Sequence, residues 1–320
     1  METRKLGRTD LQVSAICFGG NVFGWTADES ASFAVLDAFV AGGGNFIDTA
    51  NVYSAWVPGH RGGESETIIG SWVASRKNRD KVIIATKLGF EMGDGGKGLS
   101  RAYIFKEVEA SLRRLQTDYI DLYQSHTDDK DVPLEETLGA YTDLIKQGKV
   151  RAIGASNYTA PRLAEALRVS EKNNFARYAS LQPAYNLVDR AGYEQELEPL
   201  AVKENIGVIT YYSLASGFLT GKYRPGQPLP ETPRAGGIQQ KYLNAKGFAI
   251  LAEVEKVAQA HNATISQVAL AWVLSRPGTT IPIASTTTVA QTQELVGASD
   301  LKLSAEELQS LDKVSAWQYA

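Results

Sequence analysis

The sequence is poor in the residues that build metal and disulfide sites. One cysteine, Cys17, stands among 320 residues, so no intrachain disulfide forms. It lies in the apolar run Ala15-Ile16-Cys17-Phe18, which reads as a small buried hydrophobe rather than a reactive thiol. There are 3 histidines and no Cys/His spacing, so a metal site is not expected. No apolar run approaches the ~18 residues that a membrane-spanning helix needs. No basic stripe is visible and the formal net charge is −3, which argues against nucleic acid as a partner. No apolar segment follows Met1-Glu2-Thr3-Arg4 as it would in a secretory leader, so a cytoplasmic protein is expected.

Short apolar runs alternate with helical patterns along nearly the whole chain. Eight runs read as strands: 15–18, 45–48, 82–87, 119–126, 150–156, 179–185, 207–214 and 280–285. Between them Ile104, Val108, Leu112 and Leu115 share one helical face, as do Ile68, Ile69, Trp72 and Val73. Thr264 with Gln267, and Ser304 with Glu307, read as capping boxes, and Pro161 suits the first turn of a helix. Alternating β and α units imply a parallel sheet, either closed into a barrel or open and doubly wound. The open form would carry a glycine fingerprint in its first βα turn. Gly19-Gly20-Asn21-Val22-Phe23-Gly24 does not have that pattern, and Gly42-Gly43-Gly44 precedes a strand and reads as a helix stop. The expected fold is therefore α/β, a single (β/α)8 TIM barrel spanning 1–320. Two segments lie outside the repeat. Gly7-Arg8-Thr9-Asp10 marks an N-terminal β-hairpin that would plug the barrel floor, and the Gly- and Pro-rich stretch 220–246 forms a long loop after strand 7 that would overhang the site.

Polar residues collect where the barrel strands end. Asp48, Lys87 and His126 close the second, third and fourth strand runs, and Tyr53 follows five residues past Asp48. Each alone has an ordinary reading, as a turn cap, a surface charge or loop packing. On successive strand ends they meet on one face of the barrel. A phenol is a weak acid, a nearby ammonium lowers its pKa, a carboxylate holds that ammonium, and a histidine orients a carbonyl oxygen.

The motifs that carry these residues resemble the aldo-keto reductase superfamily. Gly44-Asn45-Phe46-Ile47-Asp48-Thr49-Ala50-Asn51-Val52-Tyr53, continued by Gly63-Glu64-Ser65-Glu66, is similar to its first signature. Thr86-Lys87 is similar to its lysine strand, and Asp118-Tyr119-Ile120-Asp121-Leu122-Tyr123-Gln124-Ser125-His126 to its histidine strand. Lys149-Val150-Arg151-Ala152-Ile153-Gly154-Ala155-Ser156-Asn157-Tyr158 is similar to its fifth-strand motif. The resemblance implies an NAD(P)-dependent oxidoreductase that interconverts small carbonyls and alcohols, with Asp48, Tyr53, Lys87 and His126 as tetrad and Tyr53 as general acid or base. It implies that Ser156, Asn157 and Gln182 hold the nicotinamide carboxamide. Tyr211 would stack on the ring, and Leu214 and Ser216 would line the pyrophosphate. Ser285, Gln291 and Glu294 fall in the segment that takes the far end of the cofactor.

The sequence also departs from the family. Tyr211-Tyr212-Ser213-Leu214 replaces the common Tyr-Ser-Pro-Leu, and the run from Pro282 to Gln291 lacks the Lys or Arg that pairs with a 2′-phosphate in many relatives. NADP(H) is thus a family expectation with NAD(H) as an alternative, and discrimination between them is expected to be small unless Lys222, Arg224 or Arg234 brings a charge from the long loop. Phe23, Trp25, Trp56 and Phe90 are candidates for an apolar substrate wall. Two other functions fit parts of the pattern. A relative of channel β subunits would sense redox state rather than turn over, and a Schiff-base aldolase would use Lys87 as nucleophile.

Overall fold

The computed structural model describes residues 1–278 and 280–317. Eight parallel strands close into a barrel: β3 (Cys17–Gly19), β4 (Phe46–Asp48), β5 (Ile83–Leu88), β6 (Ile120–Ser125), β7 (Val150–Ser156), β8 (Tyr178–Gln182), β9 (Gly207–Thr210) and β10 (Thr280–Ala284). They pair in chain order and β10 returns to β3. The architecture is the (β/α)8 barrel expected from the alternating pattern, and strand bounds differ from the apolar runs by a few residues at their ends. An apolar run continues into the βα loop, whereas ladder hydrogen bonds stop at the rim.

An antiparallel hairpin, β1 (Thr3–Lys5) and β2 (Gln12–Ser14), precedes the barrel. Its Leu6, Leu11 and Val13 pack with Cys17, Phe46, Ala85, Leu122, Ala152, Ile209 and Ile281, which fill the lower barrel interior. Gly7 (φ 53°) sits against the carbonyl of Ala179, where a Cβ would come within 2.6 Å, so only glycine lets the turn close on the barrel floor.

Helices cover the outside. They include α1 (Glu29–Ala41), α2 (Glu64–Arg76), α3 (Arg101–Leu115), α4 (Leu134–Lys146) and α5 (Ala160–Asn173). On α3 the expected stripe of Ile104, Val108, Leu112 and Leu115 is buried. Both capping boxes form, at Thr264/Gln267 and Ser304/Glu307, and Thr159 caps the helix that carries Pro161. Gly42 ends α1. The 220–246 stretch is not a bare loop. It contains an eight-residue helix, Ala235–Tyr242, whose Tyr242 stacks on Phe218 at 5.6 Å. The sequence hid this helix because its buried positions are only Ile238 and Tyr242. Among the described residues no helix is long and apolar enough to cross a membrane.

Candidate active site

Strand alternation puts every second residue into the barrel, and at the C-terminal rim those positions turn polar. In register, Gly19 lies beside Asp48, and Gln124 lies between Lys87 and Gly154. Ser156 lies beside Gln182. Asp48, Lys87 and Gln124 are closed to solvent, and His126 nearly so.

Lys87 Nζ donates to Asp48 Oδ2 at 2.6 Å, to the Thr49 carbonyl at 2.8 Å and to the Tyr53 hydroxyl at 2.9 Å. The Tyr53 hydroxyl in turn lies 3.4 Å from Asp48 Oδ2. The His126 ring stands edge-on to Tyr53, with centroids 5.8 Å apart, and Phe90 packs on it at 4.4 Å. Asp48, Lys87 and His126, expected at three strand ends, and Tyr53, expected in the loop after Asp48, are thus brought into one cluster.

The electrostatics differ from the expectation that Lys87 acidifies Tyr53. Burial pushes the Tyr53 phenol well above its usual 10, and the Asp48 carboxylate adds to this. The Lys87 ammonium, 2.9 Å from the hydroxyl, favours the phenolate but does not reverse this rise. Burial lowers the Lys87 pKa, and Asp48 opposes the shift. Burial, then the Lys87 charge, holds His126 well below 6.5, so the imidazole is neutral. Its Nδ1 has no hydrogen-bond partner among the described residues.

A cleft of about 940 Å³ opens over this cluster. Ser156, Asn157, Gln182, Tyr211, Leu214, Ser216, Ser285, Gln291 and Glu294 all line it. Asn157 is left-handed (φ 58°) and donates to the His126 carbonyl at 2.9 Å, while its Oδ1 accepts from Tyr211 at 2.8 Å. Gln182 lines the cleft, and its Nε2 donates to Asp48 Oδ1 at 2.9 Å. Ser285 donates to Asn21 at 2.5 Å, and Glu294 accepts from Thr264 at 2.7 Å.

Trp25, Trp56 and Phe90 line the cleft, with Trp25 edge-on to Trp56 at 5.6 Å. Phe23 does not. It is wholly buried and stacks on Phe18 at 5.7 Å. Phe23 and Trp25 are two apart in an irregular loop, and no periodicity told which faces inward. Of the loop cations, Lys222 and Arg234 line the cleft, whereas Arg224 is held away by a two-pronged pair with Glu255 at 2.7 and 2.8 Å. Among the described residues neither Lys222 nor Arg234 forms an ion pair, and the Arg234 guanidinium lies 5.5 Å over the Trp25 ring. Gln124 escaped the sequence reading of the site. Its signal was present, since Leu122, Gln124 and His126 occupy alternate positions that share the barrel face.

A closed barrel with a buried Asp–Lys–Tyr cluster at its mouth, under a long cleft lined by hydroxyls, amides and two cations, defines the nicotinamide-dependent oxidoreductase barrels as a class. Comparison narrows the class: the model of the Aldo/keto reductase family matches residues 15–316, and the chain belongs to that family. It is 35% identical to the uncharacterized oxidoreductase YrpG of Bacillus subtilis (strain 168), over 98% of this chain and 96% of the relative. It is 36% identical to the aldo-keto reductase AFTS1 of Alternaria alternata, over 97% and 90%. It is 32% identical to a probable voltage-gated potassium channel subunit beta of Arabidopsis thaliana, over 94% and 92%. The protein is an NAD(P)-dependent, carbonyl-reducing oxidoreductase.

Proposed function

We propose that the chain, acting as one domain, reduces an aldehyde or ketone to its alcohol, or runs the reverse, with Tyr53 passing the proton. The observation that carries this reading is the Tyr53 hydroxyl 2.9 Å from the Lys87 ammonium at the floor of the cleft. The nicotinamide supplies or accepts the hydride when bound. Reduction puts negative charge on the carbonyl oxygen, and a donor already in place stabilises it most in a dry pocket. A phenol held above 10 is protonated near neutral pH, as a donor must be. The Lys87 ammonium then stabilises the phenolate left behind, and Asp48 keeps Lys87 in position. Neutral His126 adds a second hydrogen-bonding group beside Tyr53 without placing another cation near Lys87. In oxidation Tyr53 serves as base.

The residues of the cleft fit a dinucleotide. Ser156, Asn157, Gln182 and Tyr211 would hold the nicotinamide end, Leu214 and Ser216 the pyrophosphate, and Ser285, Gln291 and Glu294 the far end. Lys222 and Arg234 supply the positive charge absent from the run after β10, and a Cβ on Gly217 would lie 3.8 Å from Lys222 Nζ, so that ammonium sits over the chain turn. Two cations without acidic partners favour NADP(H) over NAD(H). Trp25, Trp56 and Phe90 would wall the carbonyl substrate. A second reading, redox sensing for a membrane-channel partner, is favoured by the likeness to the Arabidopsis channel subunit. Titration with NADPH and NADH, followed by turnover over a panel of aldehydes and ketones, tests both. Multiple turnovers support the reductase. Tight NADPH binding with no turnover beyond one equivalent supports the sensor, and binding of neither cofactor overturns both.

A further inference from the structure

Asp48 receives more than its lysine. Its Oδ2 takes the Lys87 ammonium, and its Oδ1 accepts from two side-chain amides, Gln182 Nε2 at 2.9 Å and Gln124 Nε2 at 3.2 Å. Gln182 Nε2 also lies 3.3 Å from Gln124 Oε1. A carboxylate only accepts, so both amides must turn their nitrogens to it, and this settles which end of each amide is which. In an eight-stranded ring, β8 stands opposite β4, so Gln182 reaches across the barrel to Asp48. Gln124 stands between them on β6, beside Lys87 in register. The far neighbour of Gln124 is Gly154, where a Cβ would run into Ser180 Oγ and come within 3.1 Å of Gln124 Cγ. The missing side chain there leaves room for the layer of amides.

Resting on the reductase reading above, we infer that Gln124 is a positioning residue for proton transfer, which with Gln182 holds Asp48 through its Oδ1 so that Lys87 stays charged beside Tyr53. The physical need is plain. Lys87 is fully buried, which favours loss of its proton, and the Asp48 carboxylate in contact with it is the main group that opposes that. A buried carboxylate stays ionised when donors satisfy both its oxygens. The other ionisable groups around Lys87 are Tyr53 in the loop after β4, His126 after β6, Cys17 on β3 and Glu66 on α2. Glu66 is itself occupied by Thr86 at 2.5 Å and Arg114 at 2.6 Å. Gln124 hydrogen-bonds Asp48 and Gln182 and, among the described residues, none of these four.

The test is Gln124→Met, which keeps the length of the side chain and removes the donor. Carbonyl reduction should lose about tenfold in kcat, the worth of one charge-assisted hydrogen bond. The basic limb of the kcat–pH profile should move to lower pH, while the cofactor Kd and the substrate KM stay within about twofold. Gln124→Glu supplies a donor when protonated and negative charge when ionised, so it should not lower that limb. A measurement independent of turnover accompanies these: with 13C-labelled lysine, the Cε resonance missing from Lys87→Met should titrate at lower pH in Gln124→Met than in wild type. An unmoved basic limb together with an unmoved Lys87 titration overturns the inference. So does a drop in thermal stability with kcat reduced but the pH profile unchanged, since that marks a structural role only. If wild type reduces no carbonyl, the reductase reading fails, and the Lys87 titration still decides what Gln124 does.

Discussion

Lys87 and Asp48 form a 2.6 Å ion pair with both side chains shut off from solvent, at 0% and 1% exposure. Such a pair contributes little to stability as a pair, but breaking it from one side strands a charge in the barrel. Asp48→Asn should therefore lower the unfolding free energy by about 3–5 kcal/mol near pH 7. Adding Lys87→Met should recover part of the loss, because the stranded ammonium is gone. Urea midpoints of the two variants check this, and a single variant as stable as wild type would show that Lys87 simply sheds its proton.

Tyr53→Phe removes one oxygen and keeps the ring. Turnover of carbonyl substrates should fall by about 10²–10⁴-fold, the range for losing a general acid, with cofactor affinity unchanged. Stopped-flow measurement of hydride transfer at saturating cofactor decides it. Wild-type rates in the variant would remove Tyr53 from the mechanism.

In the proposed cofactor site Asn157 holds the nicotinamide end, and its amide ties the His126 carbonyl to the Tyr211 hydroxyl. Asn157→Ala should weaken binding of NADPH and NADH alike. It should also cost about 1 kcal/mol of stability, since alanine fits a φ of 58° poorly. Affinity is best measured by fluorescence titration well below the melting temperature, and binding as tight as wild type would clear Asn157 of any role.

At the other end of the cleft, Lys222→Met and Arg234→Met should each weaken NADPH binding by about tenfold, as expected for a lost charge-assisted contact. Arg224→Met is the control. Its guanidinium is committed to Glu255, so NADPH affinity should not change. A preference for NADPH that survives both cleft substitutions would place the phosphate elsewhere.

His126 makes stability depend on pH in a set direction. Its folded pKa lies well below its unfolded value near 6.5, because burial and the Lys87 charge disfavour the imidazolium. The unfolded chain therefore binds the extra proton first. The contribution is fully present above about 6.5 and is lost as pH falls toward the folded value. Between pH 7.5 and 5.5 wild type should lose more stability than His126→Asn, by at most about 1.4 kcal/mol. Chemical denaturation of both proteins at the two pH values checks the difference, and equal losses would mean that His126 titrates normally.

Much of this was legible before any coordinates. Apolar runs with turn signals at regular spacing report strands directly, because ladder geometry repeats every two residues. Asp48, Lys87 and His126 each end such a run, and a parallel barrel has one C-terminal rim. Helix starts at Thr159, Thr264 and Ser304 were readable because capping is local chemistry between residues three apart.

What the sequence determined by itself was therefore whatever depends on near neighbours: the eight units, the caps, the hairpin, and which strand ends carry polar groups. Tertiary structure decided the rest, because it depends on distances across the barrel. Phe23 went to the core and Trp25 to the cleft, a choice made by loop packing with no period to betray it. Arg224 turned to Glu255 while Arg234 turned to Trp25, a choice made by which partner lay within reach. Gln182 crossed the barrel to Asp48, 134 residues away in sequence, and no spacing along a chain encodes that meeting. The Tyr53 phenol rose rather than fell for the same reason: its pKa is set by burial and by the balance of Asp48 against Lys87, and both exist only once the strands have closed.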